Sequence, residues 1–189
     1  MRALVVVDAQ NEFSPDGLMP VLGHADAVAA IVRRVDEARR AGEPIAWVRH
    51  QNRLGESRRF LPGTWGAEFT PGCGPLPGGG AEAEFVKEVF GAFTGSELGP
   101  WLEGRRISEI TLVGFLTHMC VSTTAREALM RGLAVAIDPD ATASEALHHP
   151  LLGELSAGEA HRAALLHLVD LGVELAVEPL PHADSGSAS

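Results

Sequence analysis

Three residues of this chain have the types and placements for nucleophilic chemistry: Cys120, Asp8 and Lys87. Cys120 follows the strand-like segment 107–114 and a short FLTHM turn, and it opens a stretch with helical apolar spacing. A thiol at a helix N-terminus faces free backbone N–H groups and the positive end of the dipole. Both favour the thiolate, which is the nucleophilic form, and the same N–H groups can stabilise an oxyanion. A structural cysteine fits the position equally well, because a buried thiol packs as a small apolar group. Asp8 ends the apolar run 3–7, where a carboxylate either caps a neighbouring turn or does acid–base work. Of the 15 basic residues, Lys87 is the only lysine, and every other one is arginine. It is either a surface survivor of that bias or a place where a compact ammonium is needed in preference to a guanidinium. An ammonium beside Asp8 would stabilise the carboxylate, and the carboxylate could then take the thiol proton. The other cysteine, Cys73, lies in the loop PGCGPLPGGG with no helix behind it.

The elements needed to bring these residues together are legible from periodicity. Residues 3–7 are continuously apolar, as in a strand covered on both faces. Val28, Ile31, Val32 and Val35 stripe a helix over 25–40, which Gly42 is placed to stop. Strands are expected at 44–50, 84–89, 107–114, 133–138 and 173–177, with helices at 96–103, after Val121 to about Gly132, and at 156–171. Residues 51–83 lack periodicity and form a long loop, the kind of segment that carries function in α/β enzymes. Strands alternating with helices imply a single-domain α/β fold, a doubly wound parallel sheet with helices on both faces. Sites in such sheets form beyond the carboxyl ends of the strands. Asp8 and Cys120 both follow strand ends, so chain order puts them at one edge. One domain is expected over 1–180, with a disordered tail at 181–189 (PHADSGSAS).

Composition narrows the function classes. With 189 residues, 46% hydrophobic and 21% charged, the chain matches an ordinary globular domain. A net charge of −10 without a basic stripe argues against a nucleic-acid partner. No apolar run reaches the roughly 20 residues that span a bilayer, so no membrane partner is expected. The first ten residues lack a signal-peptide pattern, and reduced thiols in a cytoplasm are the expectation for the two cysteines.

The motifs, taken in order, resemble those of the isochorismatase-like hydrolase superfamily. VVVDAQNEF at 5–13 looks like its opening motif, and EFVKEVFGAFTGSEL at 84–98 resembles its lysine segment. LVGFLTHMCVSTTAREALMRGLAVAIDPDATAS at 112–144 is similar to its nucleophile motif with the helix and strand that follow. TWGAEF at 64–69 and HRAALLHLVDLGVE at 161–174 also match family patterns. The resemblance implies a sheet of about six parallel strands, homodimers or homotetramers, and an Asp–Lys–Cys triad at Asp8, Lys87 and Cys120. It further implies a non-proline cis peptide at Phe115–Leu116 and an oxyanion hole from the Leu116 and Cys120 N–H groups. The implied reaction uses no cofactor and cuts a C–N bond of a small amide, ureide or carbamoyl substrate through a thioester. Phe13, Trp65, Phe115 and His118 are the expected substrate contacts, with Phe60, Phe93, Leu116, Arg49 and His50 as further candidates.

One departure bears on the substrate. The branch of this superfamily that hydrolyses nicotinamide carries an Asp-x-His pair and a further His that bind a metal, and the corresponding stretch here reads WVRHQNR. A catalytic zinc expects three protein ligands, so no metal is expected. Competing readings are a vinyl-ether hydrolase, which needs no thiol, and a non-catalytic thiol-sensing or binding protein. A dinucleotide-binding module is disfavoured, because no G-x-G-x-x-G follows the first strand.

Overall fold

The computed structural model describes residues 1–78 and 80–177, and the expected tail at 181–189 lies outside them. Its frame is a six-stranded, wholly parallel sheet. The strands in chain order are β1 (Arg2–Val7), β2 (Ile45–His50), β3 (Glu82–Lys87), β4 (Glu109–Phe115), β5 (Ala134–Ala143) and, after the hairpin β6 (Leu147–His149) and β7 (Gly153–Leu155), β8 (Glu174–Leu175). Their spatial order is β3-β2-β1-β4-β5-β8. The chain runs outward from β1 through β2 to β3, then returns to the other side of β1. The switch point therefore lies between β1 and β4, where α/β sheets open a crevice for ligands.

Helices cover both faces. Helix α1 (His24–Ala41) packs Ala27, Ile31 and Val35 against Leu4 and Val6 of β1 and Trp47 of β2. On the other face, α2 (Leu98–Gly104), α3 (Ser122–Met130) and α4 (Ala157–Asp170) bring Leu98, Leu102, Ala125 and Leu168 onto Val5, Val7 and Leu112. Alternate residues of β1 thus feed two separate cores, which is why its sequence is apolar without alternation. Gly42 stops α1 in the left-handed region at φ 67°, donating its N–H to the Ala38 and Arg39 carbonyls. Ser156 and Glu159 form a reciprocal capping box at the start of α4.

Three features depart from the expected elements. Strand β5 runs past Pro139 to Ala143, with a register shift between its pairings to Leu112 and Gly114. The displaced stretch carries Asp138, buried at 2% exposure and paired with Arg34 at 2.6 Å. The antiparallel hairpin β6–β7 was not foreseen, and β8 shortens to two residues. Gly114 shows why the β1–β4 junction is so tight. It sits at φ 118°, and a Cβ there would lie 1.8 Å from the Val7 carbonyl oxygen. Among the described residues, no helix is long and apolar enough to cross a membrane.

Candidate active site

Asp8, Lys87 and Cys120 come from three different strand ends and meet at one point. Asp8 follows β1 in the left-handed region, φ 53°, a conformation aspartate tolerates better than most residues. Its N–H donates to the Val48 carbonyl at 2.8 Å, and its carbonyl accepts from the Gln10 N–H at 2.7 Å. Lys87 closes the edge strand β3, yet its side chain is fully buried. Its Nζ lies 2.7 Å from Asp8 Oδ2, 3.3 Å from Cys120 Sγ, 3.3 Å from His50 Nδ1 and 3.2 Å from the Val89 carbonyl. Cys120 lies in the π-helical turn Thr117–Val121, directly before α3. The Phe115–Leu116 peptide is cis, at the position the motif indicates.

The ammonium organises its neighbours because it can only donate. His50 Nδ1 therefore accepts from Lys87, which leaves the His50 Nε2–H to donate to Asn52 Oδ1 at 2.8 Å. Asn52 in turn donates through Nδ2 to the Arg59 carbonyl at 3.0 Å. Gln10 fastens the same region from below. Its amide donates to the His50 and Ala67 carbonyls at 3.0 and 2.9 Å, and its Oε1 accepts the His50 N–H at 2.8 Å.

Burial and charge act against one another here. Burial alone would lower the Lys87 pKa, but the charges of Asp8 and Cys120 more than offset it, and the net shift is upward. Lys87 thus keeps its charge although its side chain is fully buried. Burial pushes the Cys120 thiol up, Asp8 adds to the rise, and Lys87 opposes both. Desolvation and the nearby carboxylate thus work against the thiolate, and the ammonium favours it. Burial, and then Lys87, lower the pKa of His50, so its ring is neutral at pH 7. Burial likewise raises Cys73, to about 11. Asp8 Oδ1 has no hydrogen-bond partner among the described residues.

Asp8 and Cys120, together with His50, line a cavity of about 280 Å³, and Lys87 touches all three without lining it. Its apolar walls are Phe13, Met19, Phe60, Phe90, Leu116 and Met119, and its outer polar groups are Asn52, Ser57, Arg59 and Glu145. Of the four expected substrate contacts Phe13 lines this space, and of the further candidates Phe60, Leu116 and His50 do. Trp65 is 54% exposed, and its carbonyl accepts from Asn11 Nδ2 at 3.0 Å. Phe115 is fully buried one layer down, its ring centroid 5.3 Å from that of Phe13. The His118 ring nitrogens are buried, without hydrogen-bond partners among the described residues, and the ring is not part of the lining. Phe93 is core, and Arg49 pairs with Glu84 and Glu68. Sequence reasoning missed Met19, Asn52, Ser57, Arg59, Phe90, Met119 and Glu145. Most of these lie on loops, where no periodicity marks which side chains turn inward.

The residues present do not fit a metal centre. Among the described residues, no group of three or more His, Cys, Asp or Glu side chains could hold an ion. His50 has both ring nitrogens engaged, one of them by an ammonium that would repel a bound cation.

Comparison with known proteins places this geometry in context. The family model described as "Isochorismatase domain" matches residues 2–176. Nicotinamidase 3 of Arabidopsis thaliana is 33% identical over 174 residues, covering 85% of this chain and 83% of the relative. The nicotinamidase/pyrazinamidase of Mycobacterium tuberculosis is 33% identical over 164 residues, covering 76% of this chain and 87% of the relative. The crystal structure of an isochorismatase from Pseudomonas putida KT2440 superposes with a TM-score of 0.85 at 32% identity, over 93% of this chain and 87% of the other.

Proposed function

Given that the chain belongs to the isochorismatase family, we propose that it is a cysteine-dependent hydrolase of a C–N bond in a small amide, ureide or carbamoyl compound. The observation that carries this reading is the buried contact of one ammonium with both a carboxylate and a thiol, at 2.7 and 3.3 Å, beside an apolar-walled cavity. Two of its relatives are named as nicotinamidases. Nicotinamide itself is not favoured here, because the stretch WVRHQNR carries no Asp-x-His and no group of three metal-binding side chains stands among the described residues.

In this mechanism Asp8 takes the Cys120 proton as the sulfur attacks the substrate carbonyl. Lys87 stabilises whichever partner is negative, first the carboxylate and then the sulfur. The new C–S bond pushes charge onto the carbonyl oxygen, which the N–H groups of Leu116 and Cys120 hold. The C–N bond then breaks, and the Asp8 carboxylic acid protonates the departing nitrogen. Water, deprotonated by Asp8, attacks the thioester, the C–S bond breaks, and the proton returns to the sulfur.

A screen of small amides and ureides for ammonia release, run beside Cys120→Ala, tests the reading. Wild-type protein should release ammonia, and the variant should lose at least about 1,000-fold, as expected for a missing nucleophile. Amide turnover surviving in Cys120→Ala would contradict it. Vinyl-ether turnover surviving in that variant would favour the isochorismatase-type reading in its place.

A further inference from the structure

We infer that the substrate carries a free carboxylate and that Arg59 reads it, an inference that rests on the hydrolase reading of the same cavity. The cavity's inner charges are already used. Asp8 and Lys87 neutralise one another at 2.7 Å, and His50 accepts from the ammonium, so no inner cation is left to meet an anionic substrate group. Arg59 is the outer cation of the lining. It makes no ion pair among the described residues, whereas two arginines of the preceding stretch are spoken for, Arg49 by Glu84 and Glu68 and Arg53 by Glu88. A guanidinium left unpaired beside an apolar pocket presents a planar fork of donors suited to a carboxylate.

Its placement is not casual. The Arg59 carbonyl accepts from Asn52 at 3.0 Å, Asn52 accepts from His50 at 2.8 Å, and His50 accepts from Lys87 at 3.3 Å. The backbone that carries the guanidinium is therefore tied, through two side chains, to the ammonium beside the thiol. A cavity of about 280 Å³ lets one small molecule lie between Cys120 and Arg59. Glu145, also on the lining, makes no ion pair among the described residues. It disfavours a second carboxylate and offers an acceptor for N–H donors. A monocarboxylate bearing an amide or ureido group meets both requirements. Glu12, buried nearby, feels the charge of Arg59 but forms no ion pair with it, so the guanidinium is not consumed there.

The deciding measurement needs no known substrate. Iodoacetate and iodoacetamide differ by one negative charge, and peptide mapping reads their alkylation rates at Cys120 separately from Cys73. The iodoacetate-to-iodoacetamide ratio at Cys120 should fall by about tenfold in Arg59→Gln, the size expected when a steering and pairing charge is removed. Arg59→Lys should recover part of it, and both variants should melt with the wild type. Turnover provides the second readout. Arg59→Gln should lose kcat/KM far more with 3-ureidopropanoate than with its uncharged counterpart, 3-methylbutylurea. An unchanged alkylation ratio, or equal losses on the two ureas, would overturn the inference while leaving the hydrolase reading intact. Hydrolysis that persists in Cys120→Ala would overturn the hydrolase reading whatever Arg59 does.

Discussion

At the scale of single residues, Lys87 carries the most information. It is the one lysine in a chain that otherwise uses arginine, and it is among the most completely buried side chains. Its three N–H bonds are shared among four acceptors within 3.3 Å: Asp8, Cys120, His50 and the Val89 carbonyl. A guanidinium is larger and planar, and cannot occupy that point. Lys87→Arg should therefore fold but lose at least about 100-fold in turnover, the lower range for acid–base contributions. Near-normal turnover in the folded variant would return Lys87 to a structural role. The meeting of Asp8, Lys87 and Cys120 was legible because each ends or follows a strand and the family motifs fix their order. The rest of the pocket was legible only in part: Phe13, Phe60, Leu116 and His50 line it, and its other walls were not foreseen. Phe115 and Trp65 are aromatic and close in sequence to the right motifs, yet one faces the core and the other water. Residue type alone does not say which way a loop side chain turns.

At the scale of elements, the site depends on two strand ends pressed together. Gly114 pairs with Val7 across the β1–β4 junction, and there is no room for a Cβ at 1.8 Å from a carbonyl oxygen. Gly114→Ala should cost more than about 3 kcal/mol, combining backbone strain with a steric clash. Denaturant melts would show this, and a variant as stable as wild type would mean that the junction can open. The residues that cap α4, Ser156 and Glu159, do not line the cavity. Ser156→Ala removes a capping box and should cost about 1 kcal/mol with kcat unchanged; a drop in kcat would instead tie α4 to the site. Most elements were legible within a few residues, because buried parallel strands and amphipathic helices have distinct periods. Strand β5 beyond Pro139 was not, since proline there reads as a strand end and the continuation follows from its register shift against β4. The β6–β7 hairpin has three-residue strands with every residue exposed, which leaves no apolar alternation to detect.

At the scale of the whole molecule, the doubly wound topology explains why so distant a set of residues converges. The strand order reverses between β1 and β4, so Asp8 and Cys120 flank the switch point, and β3 brings Lys87 in from the edge. This much follows from alternating strands and helices. The resemblance to the isochorismatase-like hydrolases also implies a dimer or tetramer. Light scattering after size exclusion should give two or four times the chain mass, and a strictly monomeric species at micromolar concentration would contradict that expectation.

The central claim is that Cys120 forms a thioester during C–N cleavage, and hydroxylamine trapping tests it most directly. With an amide found in the screen, added hydroxylamine should intercept the acyl group and yield the hydroxamate in step with ammonia release. Cys120→Ala should yield neither product above background. Ammonia release without hydroxamate, undiminished in Cys120→Ala, would contradict the account.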